Sequence, residues 1–342
     1  MARMTPIPGI DPAVLDWLLE PCDPGVRHLA LRDLARLDPA GPELAGARAA
    51  AMAADPIASI LAAQHAEGYW VKPGAGYGPK YTGTAWQVVF LEQLGADGDD
   101  PRIRAACDYV IEHAQSISGG FGYKGGHRVP PPSTVIHCLN GNLARALVRL
   151  GRANDPRVQR AIAWEAEAVT GEGKIQYNAA TPGPGFRCGI NGGEPCGWGA
   201  AKGLLALAAV PAEFRTPVVE RAIARGVAFL LSVDPSTAMY PMAAGNTRPN
   251  SSWFKLGFPL GYVADVLQVL EALAEAGAAG DRRLAPAIDW LLAQRDGDGR
   301  WRNRYSYAGK LVKDIDRQGQ PSKWVTLRAC RVLRAVREAN AG

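Results

Sequence analysis

Along this chain apolar residues recur every three or four positions. They fall in alternating long and short runs separated by clusters of Gly, Pro and Asp, and almost nothing follows the period of two that strands need. The spacing predicts twelve helices, at about 12–20, 26–37, 43–64, 84–94, 101–114, 133–150, 156–168, 197–210, 216–232, 259–276, 282–294 and 322–337. One kind opens on Asp-Pro or Thr-Pro, as at Asp100-Pro101, Asp155-Pro156 and Thr216-Pro217, where a capping side chain precedes a proline in the first turn. These read as outer helices. The other kind follows long loops and is rich in small or uncharged residues, as in Pro132-Ser-Thr-Val-Ile-His-Cys-Leu-Asn-Gly-Asn142 and Pro195-Cys-Gly-Trp-Gly-Ala-Ala-Lys-Gly203. Such helices pack on two sides or face a cavity, and six of them start near residues 26, 83, 133, 197, 259 and 322. Alternation of the two kinds predicts an all-α fold, an (α/α)6 toroid of inner and outer helices around a central cavity. The short links 95–100 and 151–155 mark one rim. The glycine- and proline-rich stretches 68–82, 119–132, 171–195, 233–258 and 297–321 mark the other. Loops of that length are usually functional, and they converge on the N-terminal ends of the inner helices, where the site is expected.

A phrase repeats across the chain: Leu61-Ala-Ala-Gln64-His-Ala-Glu-Gly68-Tyr-Trp70 near the start and Leu291-Leu-Ala-Gln294-Arg-Asp-Gly-Asp-Gly299-Arg-Trp301 near the end. Each copy ends an apolar run with a glutamine, then a glycine turn, then an aromatic of the kind that is buried. Internal repetition makes one body of the whole length, so residues 1–342 read as a single toroid. Within it 1–54 form the first hairpin and an outer helix, and 55–342 form the repeat region.

The composition fits that picture. Of the 342 residues, 47% are hydrophobic and 21% charged, a balance that supports a sizeable core. The stretch Met1–Pro8 lacks the apolar run of a leader, and no segment approaches the roughly 20 uninterrupted apolar residues of a spanning helix, so a cytoplasmic protein without a transmembrane segment is expected. Six scattered cysteines argue against a disulfide framework. The net charge of +5 is modest and no basic run interleaves with aromatics, which argues against a nucleic-acid partner but leaves room for a small acidic ligand.

The phrase Trp290-Leu-Leu-Ala-Gln294-Arg-Asp-Gly-Asp-Gly299-Arg-Trp301 resembles the QW motif of squalene-hopene and oxidosqualene cyclases, and the Gln64 copy resembles it with a shorter spacer. Gln115 followed by Gly119-Gly120-Phe121 is similar to the degenerate form in the α/α toroid of protein prenyltransferases. The resemblance covers roughly residue 55 to the end and implies the same toroid; one fold, however, hosts several chemistries. Triterpene cyclases protonate substrate with an Asp-x-Asp-Asp motif, and the chain has the string Asp97-Gly-Asp-Asp100. It lies between an inner and an outer helix directly before Pro101, where a solvated turn with an N-cap aspartate is expected. In the prenyltransferases zinc is held by an Asp-x-Cys pair and a later His. Glu194-Pro-Cys196 resembles the first half, which makes Cys196 a candidate zinc ligand, with His137 and Cys188 near in sequence. The plainer account of Cys196 is a small residue opening a helix.

The starts of the inner helices carry cations and hydrogen-bonding aromatics: Lys80 with Tyr81, Trp198 with Lys202, Trp253 with Lys255, and Lys323 and Trp324 with Arg328. The pairs Trp198/Lys202 and Trp324/Arg328 are spaced for cation–π contact, and helix N-termini would add positive potential. Either this set holds a ligand or the lysines are solvated and the tryptophans fill the ring. His137 on the third inner helix is either a general acid or base or a core histidine with a satisfied partner. Asp265, three residues after Tyr262, is either a cavity-facing acid or the partner of Lys202, Lys255 or Arg328. Tyr305 to Gly319 is either a lid or a surface connection.

The leading expectation is an enzyme of lyase or transferase type, similar to terpenoid cyclases and prenyltransferases. It would act on a small amphipathic ligand with an anionic head, such as an isoprenoid diphosphate. Lys80, Lys202, Lys255, Lys323 and Arg328 would hold the anion, and Tyr81, Trp86, Trp198, Trp253, Tyr262 and Trp324 would line the apolar part. Asp265 or His137 would move the proton. The alternatives are an ester or glycoside hydrolase on the same toroid, using Asp265, Glu194 and His137, and a non-catalytic binding protein. The expectation requires no cofactor, with zinc as the alternative, and the oligomeric state is left open.

Overall fold

The computed structural model describes residues 10–124 and 128–341. The reading of Met1–Pro8 falls outside them. Thirteen α-helices carry the described chain and its extended pairing is confined to isolated bridges. In order they are α1 (Pro12–Leu18), α2 (Pro24–Asp33), α3 (Pro42–Ala53), α4 (Ile57–Ala62), α5 (Thr84–Gln93), α6 (Pro101–Ala114) and α7 (His137–Leu147), then α8 (Pro156–Thr170), α9 (Gly197–Ala208), α10 (Pro217–Leu230), α11 (Val266–Glu275), α12 (Ala285–Ala293) and α13 (Lys323–Ala341).

The inner set packs in sequence, α5 on α7, α7 on α9, α9 on α11, α11 on α13 and α13 on α2. The circle closes where Gly95, just past α5, meets His28 and Leu29 of α2. Outside it lie α3 on α2, α6 on α5, α8 on α7, α10 on α9 and α12 on α11, while α1 touches α2 and α13. Inner helices are buried on nearly every side. In α9, Gly197 and the run Gly199–Leu207 are buried, which is why its sequence is small and uncharged rather than amphipathic. The outer helices start as expected: Asp100, Asp155 and Thr216 each accept a backbone N–H of the first turn, ahead of a proline. The same cap accounts for the Asp97–Asp100 string, in which Asp97 accepts from the Asp99 N–H.

Two boundaries differ from the pattern. The stretch 43–64 is broken at Pro56, which has no N–H to continue a helix, into α3 and α4. The inner helix expected from 259 begins only at Val266, because Asp265 turns its side chain back onto the Gln268 N–H and caps it.

The repeated phrase builds the same turn three times. Gln64 donates to the carbonyls of Gly68 and Arg102, and Gln115 to those of Gly119 and Arg157. Gln294 differs, reaching back to Trp290. In every copy the aromatic is buried and its backbone N–H is received by the next inner helix: Trp70 by Thr84, Phe121 by Asn140 and Trp301 by Thr326, each at 3.0–3.1 Å. The indoles of Trp70 and Trp301 donate to Ile60 and Leu291, each ten residues back. Each turn thus ties an outer helix end to the start of an inner one and fixes what that inner start presents to the rim.

Candidate functional site at the rim of the ring

At the start of α7 the chain places His137 between Trp164 and Phe186, with ring centroids 5.5 and 5.6 Å away. Its Nδ1 lies 2.8 Å from Glu165 Oε1 on α8, and the two residues are 3% and 0% exposed. Asn140, one turn along α7, donates to the other Glu165 oxygen at 2.8 Å and to the Ala161 carbonyl, while its own oxygen receives the Phe121 N–H. The Gly-Gly-Phe turn therefore holds the amide that holds the carboxylate. Room for Glu165 comes from Gly203 on α9, since a Cβ there would collide with Oε1. With Nδ1 committed to the carboxylate, Nε2 is left buried with no partner among the described residues. A neutral imidazole in this setting offers a lone pair at Nε2; a protonated one offers an N–H stabilised by Glu165.

His137 lies on the wall of a cavity of about 330 Å³ at this rim, between the starts of α7 and α9 and the loops before α9 and α11. Phe186, Trp198, Tyr240, Trp253 and Tyr262 give it apolar walls, and Trp198 Nε1 is a second buried polar atom without a partner. Arg187 and Arg248 stand exposed in its lining, and no carboxylate side chain lines it. Cys138, Cys188 and Cys196 share the rest of the polar surface with Asn191, Asn246 and Asn250. The neighbouring Cys196 thiol holds the Cys188 thiol below its ordinary range, while the Asn191 N–H donates to the Cys188 backbone carbonyl at 2.9 Å. The neighbouring Cys188 and burial push Cys196 up, and burial pushes Cys138 up to about 12.

No family model matches the chain. No curated protein matches it either. Among solved structures it is similar to the type II terpene cyclase MstE from Scytonema, captured in complex with its substrate geranylgeranyl dihydroxybenzoate. The identity is 17% and the TM-score 0.30, over 83% of this chain and 95% of that one. A protein from Actinoplanes is similar at 17% identity and a TM-score of 0.29, over 83% of this chain and 97% of that one.

Of the residues expected to form a site, the cavity gathers His137, Cys196, Trp198, Trp253 and Tyr262. Lys80 stands close by, its Nζ 4.4 Å above the Tyr262 ring. The other cations do not converge on it. Lys323 is bonded to Glu20 and Asp23, each at 2.7 Å, and Lys255 is exposed. Lys202 is 1% exposed and reaches Gln268 Oε1 at 3.3 Å, with burial holding its ammonium down to about 8. Arg328 bonds to Asp265 and Glu271 at 2.7–3.2 Å. The expected pairing of Lys202 and Arg328 with the tryptophans one turn earlier gives way to these bonds, because a charged hydrogen bond to a carboxylate or amide is stronger than contact with a ring face. Trp324 stacks on Phe258 at 4.5 Å instead.

Asp265 is 2% exposed and fully engaged: it caps α11, accepts the Gly257 N–H at 3.1 Å and pairs with Arg328. Of its expected roles the geometry selects the ion pair. Glu194 is exposed on a turn, where its backbone carbonyl receives the Cys188 N–H. Neither carboxylate lines the rim cavity, so the two-carboxylate site that a glycosidase needs is not assembled from them. The carboxylate at the imidazole is Glu165, which the sequence hides inside an amphipathic outer helix. Zinc at Cys196 also lacks a ligand set: among the described residues no three His, Cys, Asp or Glu side chains are grouped to hold a metal ion. His137 bonds to Glu165 instead.

The middle of the same rim is packed with rings. Tyr81 lies 5.1 Å from Trp86 and 4.2 Å from Tyr307, and Tyr307 comes from the segment expected as a lid or a surface connection. Tyr307 is buried against Phe90, so the segment is anchored in the ring. A second cavity, about 410 Å³, opens at the C-terminal ends of the inner helices and is lined by charge. Its arginines are matched: Arg145 and Arg149 by Glu275, Arg328 by Glu271, and Arg32 and Arg331 by Asp33. That network staples α2, α7, α11 and α13 together at the rim opposite the site. Among the described residues no helix is long and apolar enough to cross a membrane.

Proposed function

We propose that the protein is an enzyme, akin in its ring to terpenoid cyclases and prenyltransferases, that transfers a proton to or from a small amphipathic molecule with an anionic head held in the rim cavity. The observation that carries this reading is His137, a residue of the aromatic cavity's lining with one ring nitrogen fixed on a buried carboxylate and the other without a partner among the described residues. His28 on α2 also keeps a buried ring nitrogen, Nδ1, without a partner among the described residues; what sets His137 apart is the buried carboxylate at its other nitrogen and its place in the cavity lining. The acid or base is therefore His137 Nε2, and Glu165 sets its tautomer and stabilises its charged form. Five aromatic walls suit an apolar body, and Arg187 and Arg248 take the role first assigned to the lysines, holding the anionic head.

The test is a panel of isoprenoid diphosphates and prenylated aromatic acids. Binding is followed by calorimetry and product by mass spectrometry, with wild type beside Arg248→Ala and Trp253→Ala. Binding of at least one amphipathic anion, weakened about tenfold by either change, and formation of a product fit the reading. Binding with no product from any member would leave a binding protein in its place.

A further inference from the structure

The rim that carries the aromatic cavity differs from the rest of the surface in two ways that the proton-transfer reading does not use. It is built mainly from the five long stretches that lead from an outer helix to the next inner one, 63–83, 115–136, 171–196, 231–265 and 294–322. The first difference is apolar. Single exposed hydrophobic side chains are ordinary on any surface. Here the large ones, from 48% to 84% exposed, are Val71, Ile117, Val129, Ile190 and Met239, and all five stand on these stretches. Among the described residues the helices and the opposite rim expose none. The second difference is charge. The five stretches hold fifteen Lys and Arg against nine Asp and Glu, a surplus of six in a chain whose net charge is +5, so the remainder is slightly negative. Of those fifteen cations only Arg300, Arg302 and Lys313 have an ion-pair partner among the described residues, whereas the arginines lining the cavity at the opposite rim are matched. A sixth, short stretch before α2 brings Glu20 and Asp23, and both are bonded to Lys323.

We propose that this rim docks on the surface of an anionic lipid bilayer. Unpaired lysines and arginines spread round the ring are drawn to negatively charged head groups, and the aliphatic tips enter the boundary between the heads and the acyl chains. Other partners fit the same rim less well. A second copy of the chain presents the same surplus of positive charge and is repelled. A single-stranded nucleic acid is held by aromatic rings on which its bases stack, and the exposed apolar residues here are all aliphatic. The five tips stand on four different stretches of the ring, so a compact protein partner reaches only some of them, while an extended surface meets them all. The attachment is peripheral, since among the described residues no helix is long and apolar enough to cross a membrane. The rim cavity, with Ile190 in its lining, lies on the docked face. The inference is separate from the proton-transfer reading, since docking is read without any substrate of that reaction.

The experiment is co-sedimentation of the full chain with vesicles of phosphatidylcholine alone and of phosphatidylcholine mixed with phosphatidylglycerol. The expected result is binding to the mixed vesicles and at least about tenfold weaker binding to the neutral ones. Binding to the mixed vesicles should also fall at about 1 M salt, where the screening length shrinks to about 3 Å. Two double variants separate the two contributions, and neither touches the lining of the rim cavity. Ile117→Ser with Val129→Ser removes aliphatic tips and should weaken binding about tenfold; Lys124→Glu with Lys310→Glu reverses exposed charge and should weaken it at least as much. All four positions are exposed, so thermal denaturation should show the fold unchanged. Equal binding to neutral and anionic vesicles, binding to neither, or either double variant binding as tightly as wild type would overturn the proposal.

Discussion

Cys188 shows how far a single side chain can be moved by its neighbours. The adjacent Cys196 thiol lowers its thiol from the ordinary range. Alkylation by iodoacetamide should therefore stay fast to lower pH than for an ordinary thiol before it falls away as the thiolate is protonated. Cys196→Ser should move that fall to higher pH, which rate measurement by peptide mass will show. Lys202 makes an opposite case. Its folded value of about 8 lies below the ordinary 10.5, so between those limits the unfolded chain binds a proton that the native chain does not, and stability from this group rises as pH rises through the window. Lys202→Met should be more stable than wild type at pH 7, by up to about 3 kcal/mol, and chemical denaturation should show the gap shrinking toward pH 10.5. Nothing in the sequence marks either shift. Sequence spacing offers Lys202 and Trp198 as neighbours on one helix face, but the lysine's partner lies 66 residues away on α11.

Elements were the most legible level. Asp-Pro and Thr-Pro starts locate the outer helices because the cap and the missing N–H are local requirements, and the three glutamine–glycine–aromatic turns repeat for the same reason. One misplaced boundary, at Pro56, is local, and the other lies where a distant partner intervenes: Asp265 begins α11 seven residues late, while Arg328 from α13 fixes its carboxylate. The turn is also where an element reaches the site. Thr326→Val would strip the acceptor from the buried Trp301 N–H, at a cost of about 1–3 kcal/mol. Asn140→Leu would do the same at Phe121 and also release Glu165. Thermal denaturation should therefore show Asn140→Leu as the less stable of the two, because it also loses the bonds to Ala161 and to the buried Glu165, and only Asn140→Leu should depress activity.

Over the whole molecule, the alternation of buried and amphipathic helices is enough to anticipate an all-α ring. It could not say which charges converge, because that depends on which inner helices stand side by side. Lys323 and Arg328 open toward carboxylates of α1's trailing loop and α11, whereas Arg187 and Arg248, on loops with no periodic signal, reach the cavity. The two rims are divided in kind. Matched ion pairs clamp the helices at one, and the other holds an aromatic cavity lined by an imidazole whose Nε2 has no partner among the described residues. The measurement that bears most directly on this account is kcat and dissociation constant, side by side, for His137→Gln, whose amide can still donate to Glu165 and keep the fold, with the cavity ligand found by the panel above. The account predicts a fall in kcat of at least about 100-fold with binding changed less than threefold; unchanged turnover would contradict it.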